Sequence, residues 1–383
     1  MNSISGRGKT DDRAAASTRL ASLRRFLEVE PDNVRLRRDV VDTAVAAGDF
    51  EYLRAFAESR LADVPADPEA QFDRATALMG LRDFAGALDA LAPLDVTIPG
   101  VRFNLGFCLF MSNRYEDARP YFSAAYDFGD RSPTLLRFLI LCLQHQGSFE
   151  AAIRIANDNE QVVVGDGNLA GTCALLFADN SDTANSSRLA RIALASNPAN
   201  LDALVTIGLL ESLNLNNVAA SAAFAKALEI QPANGRAWIG LASQSLLRQD
   251  FASAVDQFKR ALADLPQHVG SWNALGWTHL LAGNLDEAEN VLRHALELNR
   301  NFAENHGTLA VVAAMRGDRV AAERGIQIAE RLDPDCMSIH YAKSLLAGPE
   351  AGRPILISAI ARIPVHGPKM AALLRQAASA SKS

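Results

Sequence analysis

The residue types that perform chemistry are scattered along this chain. Its seven histidines, His145, His268, His279, His294, His306, His340 and His366, include no His-Glu-x-x-His spacing, the pattern that puts two imidazoles on one helical face around zinc. The four cysteines, Cys108, Cys142, Cys173 and Cys336, form no Cys-x-x-Cys pair, so neither a zinc knuckle nor a redox dithiol is expected. Val164-Gly165-Asp166-Gly167-Asn168 has the glycines of a phosphate loop without the Gly-Lys-Ser/Thr ending, and reads as a turn. Asp179-Asn180-Ser181-Asp182 offers calcium-type oxygens but lacks the EF-hand spacing and its closing glutamate, so it too reads as a turn between helices. No Ser/His/Asp arrangement is recognisable. The expectation is a non-catalytic chain with no cofactor and no metal, in which His279 and His306 are scaffold and the thiols are small packing groups.

What organises the sequence is a period of 34 residues. Trp272-x-x-Leu275-Gly276-x-x-His279, followed by Ala288, Leu292 and Ala295, recurs one step earlier as Trp238, Leu241, Ala242, Ser245, Ala254, Phe258 and Ala261. A further step back gives Leu204, Gly208, Ala220, Phe224 and Ala227, and one step forward gives His306, Leu309, Ala310, Ala322 and Ala329. The same template places repeat starts near 34, 68, 99, 133, 167, 201, 235, 269 and 303, which makes nine helical pairs. Leucine, glycine and a second bulky residue at i, i+1 and i+4 give each first helix an apolar stripe with a gap, and the second helix fills it. Gly48, Gly147, Gly283 and Gly317 fall where a first helix must stop, since glycine tolerates the left-handed conformation. Pro198, Pro232, Pro266 and Pro334 close second helices. Trp238 and Trp272 are expected in the core, where truncating Trp272 to alanine would cost about 3–5 kcal/mol if its indole were fully buried.

A self-similarity of this length and pattern resembles the tetratricopeptide repeat family over most of the chain. The resemblance implies an all-α fold, a right-handed superhelical solenoid with helical caps, whose first helices line a concave groove. It also implies a non-catalytic scaffold or chaperone-like adaptor that binds a peptide or amphipathic helix of a partner protein. A second reading is a targeting or regulatory subunit of an enzyme complex, such as a glycosyltransferase or secretion machinery. The lysine-and-asparagine clamp with which some members hold a terminal carboxylate is not reproduced, because the corresponding positions are Arg38 with Asp42, Phe72 with Thr76, and Phe103 with Phe107.

Rotation of about 100° per residue separates groove-facing side chains from core ones. Phe103, Phe107 and Phe110, with Met111, share a face opposite Leu105 and Leu109, and therefore point to the groove or to a neighbouring helix. Asn273, Trp277 and Leu280 are expected in the groove, as are Val205, Leu209, Ile239, Leu246, Val311 and Met315. Arg137 and Arg236 are groove cations that could orient a carboxylate of the partner. A groove this apolar suits aliphatic anchors; equally, the side chains could pack on one another.

Composition agrees with a folded, non-membrane chain: 49% hydrophobic, 21% charged and net −6, with no apolar run long enough to span a bilayer and no secretory signal at the start. Cytoplasm is the expected location, and the bias to alanine and arginine suggests a bacterial source. Residues 1–38 carry nine basic and five acidic side chains, and Arg19, Arg24, Arg25, Arg35, Arg37 and Arg38 form a cationic stretch read as a solvated cap. With no interleaved aromatic residues it is not a nucleic-acid site. The expected domains are a disordered start (1–12), a capping helix (13–33), the repeat array (34–336), a partial repeat with closing helices (337–378) and a frayed tail (379–383). Membrane insertion is not expected, and oligomeric state is left open.

Overall fold

The computed structural model describes residues 4–361, and their side chains from Asp12 onward. Two compact units divide the chain, Met1–Ser196 and Asn197–Ser383. The first holds α1 (Ile4–Val29), α2 (Val34–Ala47), α3 (Phe50–Asp63), α4 (Pro68–Gly80), α5 (Phe84–Leu91), α6 (Pro99–Met111), α7 (Tyr115–Asp127), α8 (Pro133–His145), α9 (Phe149–Asp158), α10 (Glu160–Gly165), α11 (Gly167–Asp179) and α12 (Thr183–Ser196). The second holds α13 (Leu201–Leu213), α14 (Asn217–Ile230), α15 (Gly235–Leu247), α16 (Phe251–Asp264), α17 (Val269–Leu281), α18 (Leu285–Leu298), α19 (Ala303–Met315), α20 (Arg319–Leu332) and α21 (Met337–Ile360). No strand occurs among the described residues.

Helix-turn-helix hairpins build each unit, and local chemistry sets their boundaries. Asn200 and Asn234 cap α13 and α15 by accepting from the Ala203 and Ala237 amides at 2.9 and 2.8 Å. Gly48, Gly147, Gly283 and Gly317 follow first helices in the left-handed region, at φ 68°, 70°, 83° and 81°. Arg82, Asn113, Ser181, Leu215 and Gln249 hold the same turn position elsewhere, and carry the strain of a side chain there. The helices α12, α14, α16 and α20 all stop two residues before a proline. Asp166 caps α11 through the Leu169 amide at 2.8 Å, and Asp182 accepts from Asn185 N, so both polar stretches that mimic ligand loops are turns.

Packing within a hairpin depends on the template's small residues. Phe224 is fully buried, and its ring occupies the space a Cβ on Gly208 or Gly240 would need: such an atom would fall 2.4 or 2.3 Å from it. Phe122 lies against Gly106 in the first unit in the same way. Trp238 and Trp272 depart from the expected core placement. Both are half-buried, and their indole N–H groups donate to the Pro232 and Pro266 carbonyls at 2.8 Å. Position four of several first helices performs this task, since Arg37, Gln71 and His306 likewise bond to the carbonyl six residues earlier. An indole so placed closes the inter-repeat turn, and the loss expected for full burial does not apply.

The ends also differ in detail from the sequence reading. Helix α1 begins at Ile4, inside the segment read as disordered, and the Ala14-Ala15-Ala16 run is strongly helix-forming. Arg13 Nε ties the helix to the Ala47 carbonyl at 2.6 Å. At the other end α21 bends at Gly348 (φ 79°), and Gly352 then packs against the Ser344 backbone, so the chain folds back beside a tenth first helix. The part of the expected closing helices beyond residue 361, and the frayed tail, lie outside the described residues.

Candidate functional site

First helices of successive repeats pack side by side, and this decides which expected groove residues are free. Phe103, Phe107 and Phe110 on α6 are half-buried in an aromatic cluster with their neighbours. Phe138 of α8 meets all three, with ring centroids 6.0, 5.4 and 5.0 Å away, while Phe84 and Phe122 close the other sides at 6.1 Å from Phe107 and 5.7 Å from Phe103. Of the two faces open to the stripe, it takes the neighbouring helix. Met111 is half-buried beside it, and Arg137 spends its Nε on Thr172 Oγ1 at 3.1 Å.

The second unit behaves alike. Val205 is 1% and Leu280 2% exposed, which removes both from any surface. Asn273 is buried, and its amide donates to Asn305 Oδ1 at 3.0 Å and Thr308 Oγ1 at 3.1 Å. Both of its N–H groups serve the next repeat. Leu209 and Ile239 are half-buried, Ile239 against the core cluster that contains Ala242, Phe258, Leu262 and Leu275, and Trp277 packs edge-on to Tyr341 at 5.7 Å. Arg236 is exposed. Residues one helix turn apart on an isolated helix are equivalent; beside a neighbouring first helix they are not.

What remains exposed is a ladder of which the rotation argument singled out one rung, Met315. The last residues of α13, α15, α17 and α19 are Leu213, Leu247, Leu281 and Met315, exposed by 56%, 63%, 47% and 45%. They recur every 34 residues and so lie in register along the edge where first helices turn into second ones. In the first unit the last residues of the first helices are Ala47, Gly80, Met111, His145 and Asp179, so no aliphatic ladder forms there. The signal was present in the sequence as a periodic leucine at a helix end, where periodicity is normally read as core.

Two larger cavities lie elsewhere among the described residues. One in the first unit, about 580 Å³, lies between the starts of α2, α4 and α6 and is lined by Arg38, Phe72, Asp73, Leu94, Ile98 and Val101 among others. Asp73 is buried there, ion-paired to Arg60 at 2.9 Å, and desolvation pushes its carboxyl up to about 6. Arg60 also holds Asp67 at 2.8 Å, so the pair is structural. The second cavity, about 560 Å³, lies between α18, α19 and α20, where Glu289 pairs with both Arg293 and Arg316, Asp286 also reaches Arg316, and those bonds hold Glu289 below the usual carboxylate range. His279 is buried, and desolvation lowers its pKa, which keeps it neutral scaffold. No cluster of metal-ligating side chains occurs among the described residues.

Comparison with known proteins supplies the family context. Residues 245–310 match the tetratricopeptide repeat family. No curated protein matches the chain. Among solved structures, the anaphase-promoting-complex hetero-tetramer Cut9-Hcn1 is similar over 96% of this chain and 89% of its own, at 13% identity and a TM-score of 0.54. MamA is 17% identical over 41% of this chain and 92% of its own, with a TM-score of 0.36. YrrB, a repeat protein described as having an unusual peptide-binding site, is 19% identical over 50% of this chain and 96% of its own, with a TM-score of 0.38.

Proposed function

We propose that this chain, whose residues 245–310 match the tetratricopeptide repeat family, is a non-catalytic scaffold that captures a segment of a partner protein on the leucine ladder of its second unit. The observation that carries the reading is the in-register exposure of Leu213, Leu247, Leu281 and Met315. Exposed aliphatic side chains are unremarkable singly, but a contiguous row marks a binding surface. Packed helices lie about 8–10 Å apart, and seven residues of an α-helix rise about 10.5 Å. An amphipathic partner helix with an aliphatic side chain about every second turn therefore meets successive rungs. The ladder replaces the phenylalanine stripe as the proposed contact, because the stripe's rings already satisfy one another.

A selection from a displayed random-peptide library against the full chain tests the proposal. Enriched peptides should carry aliphatic residues at helical spacing and lose binding to the Leu247→Asp/Leu281→Asp variant. Aspartate at a helix C-terminus opposes the macrodipole, so the variant should lose about 1–2 kcal/mol, and binding is compared where circular dichroism shows it folded. Peptides that bind the double variant as tightly as the parent would remove the ladder from the mechanism.

A further inference from the structure

First helices start every 34 residues from Val34 to Met337 with one exception: α4 and α6 start at Pro68 and Pro99, three residues short of the period. The shortfall is in α5, which has 8 residues where α12, α14, α16, α18 and α20 have 14. Pro93 cannot continue a helix, and Asp95 then sets a turn by accepting from the Thr97 amide and hydroxyl, both at 2.8 Å. In regular repeats the end of the second helix covers the start of the first. Asp264 of α16 accepts from the Gly235 amide at 2.9 Å, and Ser196 of α12 lies against Gly167, the first residue of α11. Helix α5 stops before it can do this, and the cavity of about 580 Å³ opens over the start of α4.

This cleft joins an apolar wall to an unmet acceptor. Phe72, Leu94, Ile98 and Val101 line it together with Asp73, which is 5% exposed. Arg60 takes Asp73 Oδ2 at 2.9 Å, and no hydrogen bond reaches Oδ1 among the described residues. Burial outweighs the attraction of Arg60 and Arg38 for this carboxylate and pushes it up to about 6, so its charge is under-compensated. Glu69 and Asp95 line the same cleft, whose one basic lining residue, Arg38, is paired to Asp42 at 3.5 Å. The acidic excess survives a wider count: residues 32–102, which build the surrounding elements, hold 8 arginines, no lysine and 13 acidic residues.

We propose that this cleft binds an ammonium group carried on an apolar body, with the ammonium donating to Asp73 and the body lying against Phe72, Leu94, Ile98 and Val101. Its volume is that of a small-ligand site, about 300–1,000 Å³ in general. A carboxylate with an unmet oxygen selects a charged donor, because hydrogen bonds between ionised groups are the strong ones. The apolar wall selects against a bare inorganic cation: calcium takes about 6–8 oxygen ligands, and no cluster of metal-ligating side chains occurs among the described residues. The inference is independent of partner capture by the second unit.

Isothermal titration of the full chain with three indoles that differ in one group tests it. Tryptamine should bind saturably at neutral pH, its alcohol tryptophol about tenfold or more weaker, and indole-3-acetate not at all. A blocked alanine pentapeptide with one central lysine separates the two sources of such an ammonium. Binding of tryptamine alone identifies a free amine, and binding of the peptide identifies a lysine side chain of a polypeptide; either result sustains the site. Gly100→Leu should abolish binding by filling the cleft. Its Cβ would sit 3.4 Å from the Phe72 ring, an ordinary contact, and leucine favours the helix, so the urea midpoint should not fall. Asp73→Asn, compared where circular dichroism shows it folded, should weaken tryptamine about tenfold or more and leave tryptophol unchanged. Tryptophol or indole-3-acetate binding as tightly as tryptamine overturns the proposal. So does unchanged binding to Gly100→Leu, or no saturable binding of either the amine or the peptide.

Discussion

The packing of Phe224 between two glycines makes the sign of a single methyl group predictable. In Gly208→Ala the new Cβ would sit 2.4 Å from Cε1 of Phe224, against an ordinary carbon contact of about 3.5–4.0 Å. The ring is fully buried and cannot leave, so overpacking should cost about 1–3 kcal/mol. Alanine is the better helix former by about 1 kcal/mol, which reduces the net loss to about 0–2 kcal/mol. Phe224→Ala alone should cost about 3–5 kcal/mol through the cavity it leaves. In that background the clash is gone while the propensity gain survives, so adding Gly208→Ala should now stabilise by about 1 kcal/mol. Urea unfolding of the full chain, followed by far-ultraviolet circular dichroism at constant slope, measures all four corners of the cycle. If Gly208→Ala has the same effect in both backgrounds, within about 0.5 kcal/mol, the template glycine is not there to admit the ring.

Three other outcomes follow from the geometry. Leu215 is 64% exposed and held at φ 60°, so Leu215→Gly should raise the urea midpoint, by up to about 1 kcal/mol in stability; an unchanged or lower midpoint contradicts strain at that turn. The Asp73 carboxyl, raised from 3.8 to about 6 by burial, binds its proton more tightly folded than unfolded. Its contribution is therefore fully present below pH 3.8 and is lost as pH rises through about 6, and Asp73→Asn should flatten that part of the stability-against-pH curve. Burial pushes the thiols of Cys108, Cys142 and Cys336 up to about 12, so iodoacetamide should label them only on unfolding; mass spectrometry that finds any of them modified in the native chain refutes this.

The interplay of neighbouring repeats explains where sequence reasoning stopped. The glycine stops, the proline ends and the polar turns at Asp166 and Asp182 are local events, governed by one residue's backbone preference or one side chain reaching an amide three residues on, and a linear string records them. Rotation on a single helix separates Leu109 from Phe107 correctly, yet both end in contact with protein, because a second first helix covers the face that an isolated helix leaves bare. Asn273 shows the same limit: its amide looked available for a ligand, and Asn305 and Thr308 of the following repeat occupy it.

By itself, then, the sequence determined the all-α fold and its 34-residue hairpin rhythm, because tight turns and small-to-large packing within a hairpin join residues close in the chain. Tertiary structure alone decided exposure. How near one repeat lies to the next is a property of the stacked pair, and it buried Val205 and Leu280, sent the Trp238 and Trp272 indoles to turn carbonyls, and left the helix-end row from Leu213 to Met315 in solvent.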